Sequence, residues 1–486
     1  MKSLPFLPSS HRKVRLRTFA AATALSALTL TGCANFGGIT SHAESKSTTT
    51  LALSSAAIQW PTEQWWASYN DPVLSGLIEQ ALAQNPNIKL AQARMDRVSA
   101  IVIAVNAATL PDIGLGVSST RERFTENGLY PPPLGGSINS NNTLMVNASY
   151  EFDFWGKNRA ALNAAISNET ASQAEVKSAR LLIASSVAKS YFALARALEQ
   201  QKILTITLKQ RSHLLELTRQ RLAAGLDTQL ELQQSETTIP SIRTELILQE
   251  EQINLARNAL AALIGTVPDA VSKVTAHFPM LPKTLLPASI PADLLGRRAD
   301  IAAARERVNA ASNIITTAKA AFYPNISLTL FGGYTGFGFG QWLTGSSRDY
   351  GGGPALSLPL FDAGRLRANL REKNADYDAA VESYNLTLLE AVRDVADQIT
   401  SLRSLEQRQA QQSEIQNHAE HSWELAKQRE ASGLVNKISA LNAETAVLAQ
   451  HRAAIDLTAA ALDLTINLNR ALGGGFRDQP VAININ

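Results

Sequence analysis

The sequence predicts a mixed α and β fold made from one unit written twice, with long helical hairpins alternating with pairs of short strands. Three observations predict it. First, Leu217–Thr237 and Leu425–Thr445 match at Leu, Gln, Arg, Ala, Gly, Leu, Glu and Thr with an offset of 208, and Gly156, Arg159 and Ala160 fall on Gly364, Arg367 and Ala368 at that same offset. Upstream, Ala107, Ala108, Pro111, Ile113 and Leu115 match Ala320, Ala321, Pro324, Ile326 and Leu328 at 213, a five-residue difference absorbed between Pro111 and Gly156. Matching Gly and Pro positions separate this duplication from chance similarity of Ala-rich helices. Second, no Gly or Pro stands between Gly156 and Gly225, so one helix of about 100 Å fits there. Third, short apolar alternations bounded by Gly, Pro and Asn recur at matching places in each copy, the pattern of strands and turns.

Composition agrees. The 486 residues are 45% hydrophobic but only 6% aromatic and 18% charged, which suits long Ala- and Leu-rich helices better than a large rounded enzyme core. A mean hydropathy of −0.06 excludes a polytopic helical membrane protein. Beyond the N-terminus no run of about 20 apolar residues is expected to cross a bilayer as a helix. The formal charge is +3, but Lys2, Arg12, Lys13, Arg15 and Arg17 all precede residue 33, where no acid occurs. Removing those five from 45 leaves 40 basic against 42 acidic residues, so nothing resembles a nucleic-acid footprint.

Taken in order, residues 1–32 read as a signal peptide, because the basic cluster is followed by an apolar run from Phe19 to Leu30 too short to span a membrane. The run ends in Leu30-Thr31-Gly32-Cys33, which resembles the bacterial lipobox. Cys33 is the sole cysteine, so no disulfide competes for it, and it is the expected attachment point for a diacylglycerol and an N-acyl (palmitate) chain. Ala34 follows instead of Asp, which by analogy with lipoprotein sorting directs the chain to the outer membrane. Residues 33–58, rich in Ser, Thr and Ala, read as a flexible lipidated tether.

The first repeat covers 59–265. A helix from Asn87 to about Thr109 is stopped by Leu110-Pro111. A strand pair spans 113–152, with runs Ile113–Val117 and Leu144–Phe152 around a loop containing Pro131, Pro132 and Pro133. A helical hairpin then spans 157–264. Its apolar positions, Ala184, Ala188, Tyr191, Ala195 and Leu198, then Leu246, Ile253, Ala256, Leu260 and Leu263, step by three, four or seven, as in coiled coils. Residues 266–298 read as a linker. The second repeat, 299–472, carries a helix, a strand pair over 326–361 (Ile326–Phe331 and Ala355–Phe361 around a Gly-rich loop 332–353), and a hairpin over 365–472. A tail follows at 473–486.

Four strands with an apolar face cannot close a barrel alone, since outer-membrane barrels need at least eight. Two, three or four copies would share 8, 12 or 16 strands. Tyr334, Phe337, Phe339 and Trp342 suit an interfacial girdle or outer loop.

Five segments then carry a resemblance: Trp65-Trp66 with Asp71-Pro72, Tyr150–Gly156, Ile290–Arg298, Ala320–Leu328 and Leu358–Gly364. Together they resemble the TolC-like outer-membrane efflux family, in particular NodT-type lipoproteins that serve resistance-nodulation-division systems. The resemblance implies a homotrimer with a 12-stranded transmembrane β-barrel, a coiled-coil α-helical barrel and a mixed equatorial region. It implies partners too: a periplasmic membrane-fusion (adaptor) protein and an inner-membrane resistance-nodulation-division pump, with outer-membrane lipid around the barrel. The family's hairpin tips fall on Ala224, Gly225 and Leu226 and on Ser432, Gly433 and Leu434; any reversing hairpin also needs such a glycine. The family's channel gate falls on Ile438 and Asn442, where Asn replaces the usual acid and removes the charge that would attract cations. Ala299, in place of the usual Pro, implies a slightly shifted helix start.

No catalytic signature accompanies these features. His418 and His421 lie three apart, and a solvated helix face is the simpler reading than a metal site. No His-Glu-x-x-His, Gly-x-Ser-x-Gly or Gly-Lys-Ser/Thr motif occurs, so no enzyme and no resident cofactor is expected beyond the lipid on Cys33. The expected function is the passive exit duct of a tripartite efflux system for drugs or other toxic small molecules. The competing readings are a non-conducting envelope spacer, for which the strand pairs have no task, and a duct for secreted proteins.

Overall fold

A computed structural model describes residues 36–46, 60–279, 294 and 296–478. The expected signal peptide and Cys33 lie outside the described residues. The main elements are α1 (Pro72–Gln84), α2 (Pro86–Ala107), β1 (Asp112–Arg123), β2 (Ile138–Phe152), α3 (Lys157–Ala223), α4 (Gln229–Ile264), α5 (Ala299–Ala320), β3 (Asn325–Phe337), β4 (Arg348–Ser357), α6 (Arg365–Ala431) and α7 (Lys437–Ala471). The two copies agree in length as well as order. α2 and α5 have 22 residues each, α3 and α6 have 67 each, and α4 and α7 have 36 and 35.

Local chemistry sets the boundaries. Asp71 caps α1 by accepting from the backbone N–H groups of Val73 and Leu74 at 2.9 and 3.1 Å, with Pro72 at the first helical position. Gly156 and Gly364 take the same left-handed turn (φ 73° and 86°) before α3 and α6. Asp153 and Asp362 then accept from the first N–H groups of those helices. α5 opens at Ala299 itself, where the Arg298 guanidinium grips Asp300.

The chain divides into two compact units. The first gathers the described residues of 1–45, 96–170 and 305–383, and holds the sheet. Its four strands are antiparallel in the order β1-β2-β3-β4, paired from Asp112↔Ser149 through Phe152↔Ile326 to Asn325↔Ser357. The expected starts of β1 and β3 hold to within one residue, but β2 begins at Ile138 rather than Leu144 and β4 at Arg348 rather than Ala355, and the expected Gly-rich loop 332–353 does not hold. Gly332, Gly333 and Gly336 sit inside β3 and Gly351–Gly353 inside β4, leaving only 338–347 as the connection. β4 ends at Ser357 rather than Phe361, because Pro359 has no N–H to give a ladder.

A second difference concerns the tether. Residues 36–46 form an ordered strap: Phe36 and Ile39 join Ala318, Phe322 and Leu370 in an apolar cluster, and Asp378 accepts from the N–H groups of His42 and Ala43 at 3.0 Å each. The small polar composition concealed two apolar anchors and a carboxylate placed to receive the backbone.

The second unit gathers the described residues of 46–95, 171–304 and 384–486. Its core joins Trp65, Trp66, Leu74 and Ile78 to Ala184, Ala188, Tyr191 and Ala195 of α3, Ile253 and Leu260 of α4, and Leu462 and Ile466 of α7. Of the expected coiled-coil positions Ala184, Ala188, Tyr191, Ala195, Ile253 and Leu260 are buried and Leu198, Leu246, Ala256 and Leu263 half-buried, and small Ala side chains let the helices approach closely. By length and composition α3 does contain a stretch able to cross a membrane, contrary to expectation; 56% of that stretch is buried within the protein, and its apolarity serves helix packing. Tyr191 donates its hydroxyl to the Asp71 carboxylate at 2.6 Å, tying α3 to the cap of α1.

Candidate conducting sheet and hairpin tips

Antiparallel register sorts the sheet residues by face, since directly paired residues point the same way. On one face stand Ile113, Leu115 and Val117, opposite Ala148, Val146 and Leu144, which in turn oppose Leu330, Gly332 and Tyr334. That face is apolar and open, with Ile113 at 71% and Leu115 at 67% exposure. The other face carries Gly114, Gly116 and Ser118 opposite Asn147, Met145 and Thr143, which in β3 oppose Phe331, Gly333 and Thr335, with Thr329 and Phe337 on the same side. One face is therefore mostly greasy and the other mostly small and polar, with Phe331 and Phe337 as its large apolar members.

The strands reached this pairing through glycine. A Cβ on Gly333 would come within 1.9 Å of the Leu144 carbonyl oxygen, and one on Gly351 within 2.8 Å of the Phe331 ring. Of the expected aromatic girdle, Tyr334 and Phe337 lie on β3, while Phe339 and Trp342 meet edge to face at 6.3 Å in the 338–347 connection. Among the described residues β1 and β4 each pair on one side only.

Ala224, Gly225 and Leu226 form the turn between α3 and α4, and Ser432, Gly433 and Leu434 the turn between α6 and α7. Both glycines are left-handed (φ 73° and 70°), and both turns close alike. The Leu226 N–H reaches the Arg221 carbonyl at 2.8 Å and the Leu434 N–H the Arg429 carbonyl at 2.9 Å, a Schellman ending. Leu226 and Leu434 stand out at 65% and 70% exposure. Ile438 and Asn442 follow on the first turns of α7, the first half-buried and the second exposed.

Sequence reasoning missed an asymmetry between the tips. The Arg221 guanidinium holds Asp227 through two bonds of 2.9 Å, and this keeps the Asp227 carboxyl below the ordinary range. Thr228 and Glu231 add a capping box. In the second tip Arg429 matches Arg221, but Val435 stands where Asp227 would, and Asn436 alone caps α7 through the Ser439 N–H at 3.1 Å. Reading the copies against each other at offset 208 would have revealed it. His418 and His421 lie exposed on α6, and among the described residues no group of three or more His, Cys, Asp or Glu side chains is placed to hold a metal.

Known proteins share both sequence and architecture. The profile of the outer membrane efflux protein family matches residues 77–266 and again 290–474, one match per repeat. The fusaric acid resistance protein FusA of Burkholderia cepacia is 36% identical over 372 residues, covering 74% of this chain and 69% of its own. The pyoverdine export outer membrane protein OpmQ of Pseudomonas aeruginosa is 30% identical over 428 residues, covering 85% and 88%. The outer membrane protein VceC of Vibrio cholerae superposes with a TM-score of 0.79 at 37% identity, over 86% of this chain and all of its own.

Proposed function

The chain belongs to the outer membrane efflux protein family, and from that premise we propose that it is the outer-membrane duct of a tripartite efflux system. It passes toxic small molecules from a periplasmic pump assembly to the exterior of a Gram-negative cell. The observation that carries this reading is the sheet: four strands, one face mostly apolar and the other mostly small and polar, with no further strand paired to either edge among the described residues. Such a sheet has no stable place in lipid unless other copies close it. Three copies give a 12-stranded barrel, with the apolar face to lipid and the polar face lining water. The relatives' names support a small-molecule cargo, with fusaric acid resistance in one and pyoverdine export in another.

The duct supplies no energy and performs no chemical step. An adaptor protein docks on the exposed turns at Ala224–Leu226 and Ser432–Leu434 and joins the duct to an inner-membrane pump. Ile438 and Asn442 narrow the passage near the second tip. Cys33 carries the acyl chains, and the strap at 36–46 holds the lipidated end beside the sheet unit, since the three residues from Cys33 to Phe36 reach about 10 Å.

Single-channel conductance in planar bilayers tests the reading, with the wild type beside a variant carrying Ile438→Gly and Asn442→Gly. Weak conductance in the wild type and strong conductance in the variant is expected. Strong conductance in both would keep the duct and discard the gate. An oligomeric, membrane-inserted variant that conducts nothing would leave a structural spacer as the function.

A further inference from the structure

Charge on the sheet is sorted by face. The apolar face runs through the odd positions of β1 and the even positions of β2, β3 and β4. All three cations of the strands, Arg121, Arg123 and Arg348, stand on that apolar face. All four carboxylates, Asp112, Glu122, Glu151 and Asp349, stand on the other.

The cations are sorted by height as well. α2, α3, α5 and α6 join the sheet at the end of Asp112, Phe152, Asn325 and Ser357, and the connections 124–137 and 338–347 lie at the opposite end. Arg348 opens β4, and Arg121 and Arg123 close β1, so all three stand toward the connections. Ile326 and Tyr334 of β3 share the apolar face eight residues apart, about 27 Å along the strand, which is the scale of a barrel's apolar band. Tyr334 pairs with Arg348, and Tyr350, the next residue of β4 on that face, is 81% exposed. Arg121 lies four residues beyond Val117, which shares the row of Tyr334. The apolar band therefore ends in tyrosines and then in cations.

Arg123 is occupied by Glu126 at 3.0 Å. Arg121 and Arg348 are exposed, and among the described residues their guanidinium groups make no hydrogen bond or ion pair. An Arg on a lipid-facing wall is costly at mid-membrane and tolerated near the interface, where its planar fork matches a phosphate. On the reading of the chain as an outer-membrane duct, the connections face outward and the apolar face meets the outer leaflet. The glycolipid of that leaflet in a Gram-negative cell is built on lipid A, which carries phosphate groups above several acyl chains. β1 and β4 are the edge strands, so closing the ring brings Arg121 of each chain to the seam at which Arg348 arrives from the next.

We propose that Arg121 and Arg348 form a lipid A phosphate site at each seam of the ring, with Tyr334, Tyr350 and the apolar face beneath them taking the acyl chains. This inference rests on the duct reading. A phosphate held by two chains braces the seam between them. Arg side chains that merely reach past the apolar band to water would show no preference for phosphate, and this separates the two readings.

Native mass spectrometry of the full-length oligomer tests the site, with lipid A and its dephosphorylated analogue as probes and flotation with liposomes as the check on insertion. The wild type should bind lipid A roughly tenfold more tightly than the analogue, the scale of one charge-assisted hydrogen bond. Arg121→Gln with Arg348→Gln should bring the two affinities together. Each single substitution should lose part of the preference, so a double variant too unstable to assemble still leaves a result. Glu122→Gln with Asp349→Gln removes charge from the opposite face and should leave the preference as it is in the wild type.

An inserted wild type without preference for the phosphate-bearing lipid overturns the site and leaves the duct standing. So does an inserted Gln variant, double or single, that keeps the full preference, or a Glu122 and Asp349 variant whose preference rises, since binding would then follow net charge rather than face. A wild-type oligomer that never enters liposomes has no lipid-facing wall, and the duct reading then falls together with the site.

Discussion

At the scale of residues, the two hairpin tips share a backbone and differ in chemistry. Each turn needs a left-handed residue, and Gly225 and Gly433 supply it. Beyond that, only the first tip carries a carboxylate, Asp227, gripped by Arg221. The Arg221 hydrogen bond depresses the Asp227 pKa, so the pair's stabilisation is complete above the ordinary aspartate value of about 3.9 and is lost as pH falls through the depressed value. Hydrogen exchange, corrected for intrinsic rates, should show Leu226 better protected than Leu434 at neutral pH, with the difference closing in strong acid. Glu231, lowered by its bonds to Thr228, titrates in the same direction. Asp227→Asn separates the two, and should remove most of the difference at neutral pH. Equal protection of both tips in the wild type would show that the pair adds nothing to the turn.

At the scale of elements, the helices were legible and the strands only in part. An uninterrupted run free of Gly and Pro can do little but form a helix, and α3 fills nearly the whole interval from Gly156 to Gly225. Pro240 stands inside α4 without ending it, on the exposed side where the missing N–H does least harm. The tip glycines were legible because reversal of a helix demands them. The glycines of β3 and β4 were not, because weak strand propensity assigned them to a loop, whereas their reason lies on neighbouring strands. Gly333 leaves no room for a side chain against Leu144, and Gly351 and Gly352 accommodate Phe331 and Leu330. Gly333→Ala should therefore cost on the order of 3 kcal/mol and deplete the assembled oligomer on semi-native gels. Gly353→Ala, whose Cβ would meet nothing within 4 Å, should assemble like the wild type. Equal behaviour of the two variants would mean that the sheet adjusts at Gly333 without loss.

At the scale of the whole molecule, duplication explains both the order of the sheet and its incompleteness. Each repeat contributes one antiparallel pair, and the pairs join through β2 and β3, leaving β1 from the first copy and β4 from the second as the two outer edges. An open edge in lipid leaves backbone groups without partners, and the proposed barrel removes both edges by joining β1 of one chain to β4 of another. The number of chains in the ring then follows from curvature, which neither composition nor register reveals. Twelve strands from three chains is the proposed answer. Ser118 on β1 and Asp349 on β4 share the polar face by register, so cysteines placed there are open to a water-borne bis-maleimide. Membranes bearing Ser118→Cys with Asp349→Cys should give a denaturing-gel ladder that ends at three chains. The wild type, with its proposed acylated Cys33, should give none. A ladder ending at two or four chains would replace the trimer with an 8- or 16-stranded ring, and a correctly inserted protein that never cross-links would mean that its edges are not joined to one another at all.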